Sequence, residues 1–70
     1  MIVQSQIQER ISEAIAESGM PQREIAKRLG VSQQMISNYK NGTKMPALDT
    51  FANLCAVLDA DPAYLLCLKN

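Results

Sequence analysis

The 70-residue chain contains no histidine and no tryptophan, and neither of its two cysteines belongs to a C-x-x-C pair. Histidine is the commonest general base and the commonest metal ligand in proteins, so its absence removes the usual centre of both kinds of site. No glycine-rich phosphate-binding loop is present either. We therefore expect a protein that is not an enzyme and has no metal, no cofactor and no small-molecule ligand.

Long apolar runs are also missing. The longest spans residues 63–68, far short of the roughly 20 apolar residues that a membrane-spanning helix needs. Glu9 and Arg10 interrupt the N-terminus before any signal peptide could form. We expect a cytoplasmic protein with no membrane partner, in which Cys55 and Cys67 are reduced, buried thiols within apolar stretches.

The charges balance overall but are unevenly distributed along the chain. Seven lysines and arginines match seven aspartates and glutamates, which argues against a general polyanion binder. Residues 22–44 nevertheless hold five cations and one acid, a net charge of +4, while the remainder holds two cations and six acids, a net charge of −4. The cations of the basic segment are Arg23, Lys27, Arg28, Lys40 and Lys44. Any contact with an anionic partner is expected there.

Helical periodicity dominates the chain and strand alternation is almost absent, so we expect one all-α domain spanning residues 1–70. The first helix is predicted to begin after Ser5, with Gln8 reaching back in a capping box, and to end at Gly19. Its apolar stripe consists of Ile7, Ile11 and Ile15. Glu9, Glu13 and Glu17 are interpreted as a solvated acidic face of the same helix.

Two short helices are predicted next, separated by a sharp turn. The first runs from residue 21 or 22 to Leu29, and the second from a Ser32 cap to about Lys40. Gly30 permits the turn between them because it has no side chain to clash. The residues expected to fill the space beneath the two helices are Ile25, Ala26, Leu29, Val31, Ile36 and Tyr39.

The last two predicted helices complete a compact five-helix domain. The fourth spans roughly residues 48–58 and is expected to bury Leu48, Phe51, Cys55 and Leu58. The fifth is capped by Asp61, has Pro62 at its first position and buries Leu65.

Residues 22–41, QREIAKRLGVSQQMISNYKN, resemble the helix-turn-helix of the lambda-repressor and Cro-like DNA-binding family. The resemblance continues through Asn41-Gly42, Pro46 and the stretch that begins with Asp61-Pro62, so it covers essentially the whole chain. It implies a five-helix fold in which the second and third helices form the motif. Ile15 and Lys40 stand where many members carry an ion pair, and Pro21 replaces the usual Ser or Thr cap.

The resemblance also implies which residues contact DNA. The N-terminal end of the third helix would enter the major groove, where Gln and Asn amides can bind adenine through a donor and an acceptor together. The expected base-reading residues are Gln33, Gln34, Ser37 and Asn38. The expected backbone contacts are Gln22, Ser32, Lys40, Asn41, Thr43 and Lys44. Arg23, Lys27 and Arg28 are interpreted as surface charge that pairs locally with Glu24.

We expect a bacterial or phage transcriptional regulator, most simply a repressor, that binds a two-fold symmetric operator as a homodimer. The fifth helix is the expected dimer contact, because Tyr64, Leu66 and Leu68 cannot all be buried in so small a domain. The alternative is an antitoxin or another protein-interaction module with the same fold, for which DNA binding is secondary.

Overall fold

In a computed structural model that describes residues 1–70, the chain forms five α-helices and no strand, which confirms the predicted fold class. The helices are α1 Gln4–Glu17, α2 Gln22–Leu29, α3 Gln33–Asn41, α4 Leu48–Leu58 and α5 Pro62–Leu65. The Cα atoms extend over 33 × 22 × 21 Å. None of the five helices combines the length and the hydropathy that crossing a bilayer requires.

Each of the five helices contributes to a single core. α3 packs against both α1 and α2, while α4 contacts α2 and α5 contacts α1. The buried residues are Ile11, Ile15, Ile25, Ala26, Ile36, Tyr39, Phe51, Leu54, Cys55 and Leu65. Because the side chain of Ile36 is fully buried, one face of α3 is fixed against the core and its opposite face is left outward.

The helix ends follow mostly from local chemistry. The Ser32 hydroxyl accepts the backbone N–H of Met35 at 3.1 Å, and Asp61 accepts that of Ala63 at 2.9 Å, as predicted for caps. Pro21 caps α2 without a side-chain hydrogen bond. α3 extends one residue beyond its predicted end and stops at Gly42, whose φ of 78° is a left-handed conformation that glycine adopts readily.

The predicted capping box of the first helix is wrong. α1 begins one residue before Ser5, so Ser5 lies within the first turn. The cap is Val3, whose backbone N–H donates to Gln6 Oε1 at 3.1 Å. The amide of Gln8 instead donates to the carbonyl of Gly42 at 3.0 Å. A glutamine three residues after the cap does satisfy the first N–H, but the helix uses Gln6 and leaves Gln8 for a tertiary contact.

The buried face of α4 also differs from the prediction. Leu48 is 83% exposed, whereas Leu54 is fully buried and Leu58 is half-buried against the core. Helical side chains lean toward the helix N-terminus, so a residue in the first turn such as Leu48 projects beyond the packed part of the helix. The predicted burial of Phe51 and Cys55 is confirmed.

Both cysteines are free, as expected, but only one is buried. Burial raises the pKa of the Cys55 thiol. Cys67, predicted to be buried, is only half-buried and has a φ of 64° in the turn that follows α5. The chain leaves the core at this turn, so the apolar run that contains Cys67 is not all packed inside.

Candidate nucleic-acid interface

α2 and α3 are joined by three residues and pack closely against each other. The carbonyl of Ala26 accepts the backbone N–H groups of Gly30 at 2.9 Å and Val31 at 3.1 Å, which ends α2 and turns the chain sharply. We call the exposed and half-buried residues of α2, of α3 and of the loop through Lys44 the α2–α3 surface. None of the exposed large hydrophobic side chains of the protein belongs to it.

The four residues predicted to read bases lie on one face of α3, but they differ in their exposure and in their hydrogen bonds within the chain. Gln33 and Gln34 are exposed, and Ser37 and Asn38 are half-buried. Gln34 Nε2 donates to Asn38 Oδ1 at 3.1 Å, so these two amides form a pair one helical turn apart. The side chain of Gln33 makes no hydrogen bond within the chain and can offer both its donor and its acceptor to a partner.

Ser37 connects the two helices of this surface. Its hydroxyl donates to Gln22 Oε1 at 2.7 Å, which joins a predicted base-reading residue to a predicted backbone contact. The bond occupies the oxygen of the Gln22 amide and leaves its NH₂ group as a donor. It also commits the only proton of the Ser37 hydroxyl. Sequence reasoning missed this pairing, since nothing in the local pattern relates residues 15 positions apart.

The last turn of α3 and the loop after it hold four further predicted backbone contacts in exposed positions. Lys40, Asn41, Thr43 and Lys44 are all exposed. The carbonyl of Asn38 accepts the backbone N–H of Thr43 at 3.0 Å and its hydroxyl at 3.2 Å. Ser32, the last predicted contact, is exposed at the start of α3, where its oxygen serves as the helix cap.

The α2–α3 surface has an excess of positive charge that is not neutralised by its own acid. Glu24 is the only acid among residues 22–44, and its carboxylate accepts a hydrogen bond from Arg28 Nε at 2.8 Å. This bond lowers the pKa of Glu24. The local pairing predicted for Glu24 is therefore confirmed with Arg28. The four cations that form no ion pair are Arg23, Lys27, Lys40 and Lys44.

A protein-family model described as helix-turn-helix matches residues 11–65. The chain belongs to the lambda-repressor and Cro-like helix-turn-helix family. Comparisons with curated proteins and with solved structures gave no match. Membership assigns the protein a general function in DNA binding and transcription regulation, and the family is in general non-enzymatic.

The resemblance described above places Ile15 and Lys40 where many family members carry an ion pair, and here the two residues lie in different surroundings. Ile15 is 3% exposed within the core. Lys40, at the other position, is exposed at the end of α3. Replacing a partly buried ion pair by apolar packing is often neutral or stabilising. Lys40 forms no ion pair and lies in the last turn of α3.

Proposed function

We propose that this protein binds a specific double-stranded DNA sequence and represses transcription by occupying a promoter. The proposal depends mainly on one observation: Gln33 and Gln34 are exposed at the N-terminal end of α3. An α-helix with its side chains is about 10–12 Å across, so the nine-residue α3 fits the major groove, which is about 12 Å wide. Its first residues would then lie against the base edges.

The four base-reading residues would contribute in different ways. Gln33 is free to bind adenine N6 and N7 together through its amide oxygen and nitrogen. Gln34 and Asn38 would act as a pair, because the hydrogen bond between them fixes one amide against the other before DNA arrives. Ser37 lies closest to Gln22, and its hydroxyl oxygen retains lone pairs that could accept from a base.

The surrounding residues would hold the DNA backbone. Gln22 can donate its free NH₂ group to a phosphate oxygen at the start of α2, and Ser32 can donate its hydroxyl proton at the start of α3. The exposed residues after them in the chain that could contact phosphate are Lys40, Asn41, Thr43 and Lys44. Contacts of this type fix the orientation of a protein on the duplex and carry no sequence information directly.

Selection of bound sequences from a random DNA pool tests the proposal. We expect one enriched sequence whose two halves are related by two-fold symmetry. If no sequence is enriched, specific DNA binding fails, and the protein-interaction alternative would stand in its place.

Two variants then separate base reading from backbone contact. Gln33→Ala should weaken binding to the selected site by about 1–3 kcal/mol and relax the preference at one base pair. Lys44→Ala should weaken binding to all sequences alike and reduce the salt dependence by about one counterion. Asn53→Ala, an exposed amide on α4, is the control for both. Equal losses on every sequence for Gln33→Ala would contradict its assignment.

We further propose that two copies bind the two half-sites as a homodimer. One copy has few phosphate contacts, and a second copy about 34 Å along the duplex would supply the missing affinity. Met1 and Ile2 line a groove with Tyr64 and Cys67. We call these four residues, together with the exposed Val3 and Leu68, the terminal surface. Leu68 is 67% exposed, whereas Leu66 packs partly against the core and so offers less area.

Sedimentation of the wild type and of Leu68→Ser tests the homodimer. The wild type should form a dimer at high concentration and on the selected DNA, and the variant should shift toward monomer. The half-site preference of the variant should be unchanged, because Leu68 lies outside the α2–α3 surface. A wild type that stays monomeric at high concentration, even with DNA, would contradict the proposal.

A further inference from the structure

One hydrogen bond reaches the α2–α3 surface from outside its own helices. Gln8, just over one turn into α1, donates from Nε2 to the carbonyl of Gly42 at 3.0 Å, although the two residues are 34 positions apart. The contact is partly buried. A Cβ atom at Gly42 would lie 3.8 Å from Gln8 Oε1, so the whole amide packs against the backbone that ends α3.

Gly42 lies in the middle of the proposed backbone-contact segment, residues 41–44. On the α3 side, the segment is held by the carbonyl of Asn38, which accepts the N–H and the hydroxyl of Thr43. On the α1 side, the only side chain that donates to this segment is Gln8. The direction of the Gly42 carbonyl, and with it the path of the chain toward Lys44, is therefore fixed between two helices.

We propose that Gln8 is a positioning residue for DNA binding, which it supports without touching DNA itself. The inference rests on the proposed function, because it concerns how residues 41–44 are presented to phosphate. Without the Gln8 donor, the half-buried carbonyl of Gly42 loses its partner and the segment gains freedom that binding must remove. Because phosphate contacts carry no sequence information, the loss should be the same for every duplex.

Gln8→Met tests the proposal, since methionine keeps the length and helix propensity of glutamine but cannot donate a hydrogen bond. Binding to the selected duplex and to a random duplex should both weaken about threefold to tenfold, the effect of one hydrogen bond. The base preference should not change. Gln4→Met is the matched control, because Gln4 is an exposed glutamine of the same helix without a side-chain hydrogen bond.

A double-mutant cycle with Lys44→Ala distinguishes positioning from a general effect on stability. If Gln8 acts through the segment that carries Lys44, Gln8→Met should cost clearly less affinity in the Lys44→Ala background than in the wild type. A purely structural role would cost the same in both backgrounds. Gln8→Glu, which keeps the shape and replaces the donor by an acceptor, should lose at least as much affinity as Gln8→Met and provides a second variant if the first folds poorly.

The outcomes for the two proposals are separable. If the wild type binds no duplex above background, the proposed function fails and this inference fails with it. If the wild type binds but Gln8→Met and Gln8→Glu bind equally well, or if the losses are identical in both backgrounds, DNA binding stands and the role of Gln8 is overturned.

Discussion

Five of the six exposed large hydrophobic side chains lie on the terminal surface, whereas none lies on the α2–α3 surface. The charge is divided as well, with +4 in residues 22–44 and −4 in the rest of the chain. A polar, cationic surface suits a salt-dependent contact with a polyanion, and an exposed apolar patch suits a contact with protein. A chain of 70 residues thus carries two chemically different surfaces on one core.

The two surfaces are also held in place differently. On the α2–α3 surface, hydrogen bonds join side chains of the surface itself, as between Ser37 and Gln22. At the terminal surface, one residue of α1 contacts the C-terminal part of the chain through its side chain. Arg10 Nη1 donates to the carbonyls of Tyr64 at 2.6 Å and Lys69 at 2.9 Å, and its guanidinium lies 4.2 Å from the centre of the Tyr64 ring. A single change at Arg10 should therefore loosen the C-terminal part of the chain.

The largest expected effect tests whether both surfaces share one cooperative core. Ile36 lies beneath the α2–α3 surface and Leu65 beneath the terminal surface, and each is at most 1% exposed. Ile36→Ala and Leu65→Ala should each lower the free energy of unfolding by about 2–5 kcal/mol. Urea unfolding followed by circular dichroism should remain a single transition. Two separate transitions for Leu65→Ala would mean that α5 unfolds independently and that the two surfaces do not share one cooperative core.

A smaller effect is expected at the end of α3. Gly42→Ala should cost about 1–2 kcal/mol, because alanine is strained at a φ of 78°. The space itself is sufficient, since the nearest atom to the added Cβ would be 3.8 Å away. Gly42→Asn is the control, because asparagine tolerates the left-handed conformation better. Thermal unfolding of both variants measures the difference; equal costs would show that backbone conformation is not the cause.

The corresponding change for the terminal surface is Arg10→Ala, because Arg10 contacts Tyr64 of that surface. It removes two charge-assisted hydrogen bonds and one cation–π contact, all partly exposed to solvent, so we expect a loss of about 1 kcal/mol. Arg10→Lys should recover part of it, since lysine keeps the charge but not the planar geometry. Hydrogen exchange should report faster opening of residues 66–70, with base preference unaltered. Altered base preference would mean that the two surfaces are coupled.

The smallest effect is a pH dependence of the ion pair between Asp61 and Lys69, which flank the C-terminal residues of the terminal surface in the chain. A hydrogen bond from Lys69 lowers the pKa of Asp61 below its ordinary value of 3.8. The stabilising contribution is therefore complete above that ordinary value and is lost as the pH falls through the lower, folded-state value. Asp61→Asn keeps the helix cap and removes the ionisable group. Between about pH 6 and about pH 2, the wild type should lose slightly more thermal stability than the variant; identical losses would contradict the ion pair.

Helix positions followed from the sequence closely. The ends at Ser32 and Asp61 depend on side chains within three residues of the groups they cap, and the ends at Gly30 and Gly42 depend on backbone freedom at one position. Two errors arose where local signals were ambiguous. Gln6 and Gln8, near the start of α1, could each complete a cap, and the helix uses Gln6. Helical periodicity does not show that Leu48 lies beyond the packed part of α4.

The sequence by itself determined the five helices, the basic segment and the family, because these depend on spacing, local capping and a motif of contiguous residues. Only the tertiary structure decided which polar groups are paired across the fold. Ser37 meets Gln22 across 15 positions, Gln8 meets Gly42 across 34, and Arg10 meets Tyr64 across 54. Such contacts depend on how whole helices pack, and no property of either partner's neighbours specifies the other.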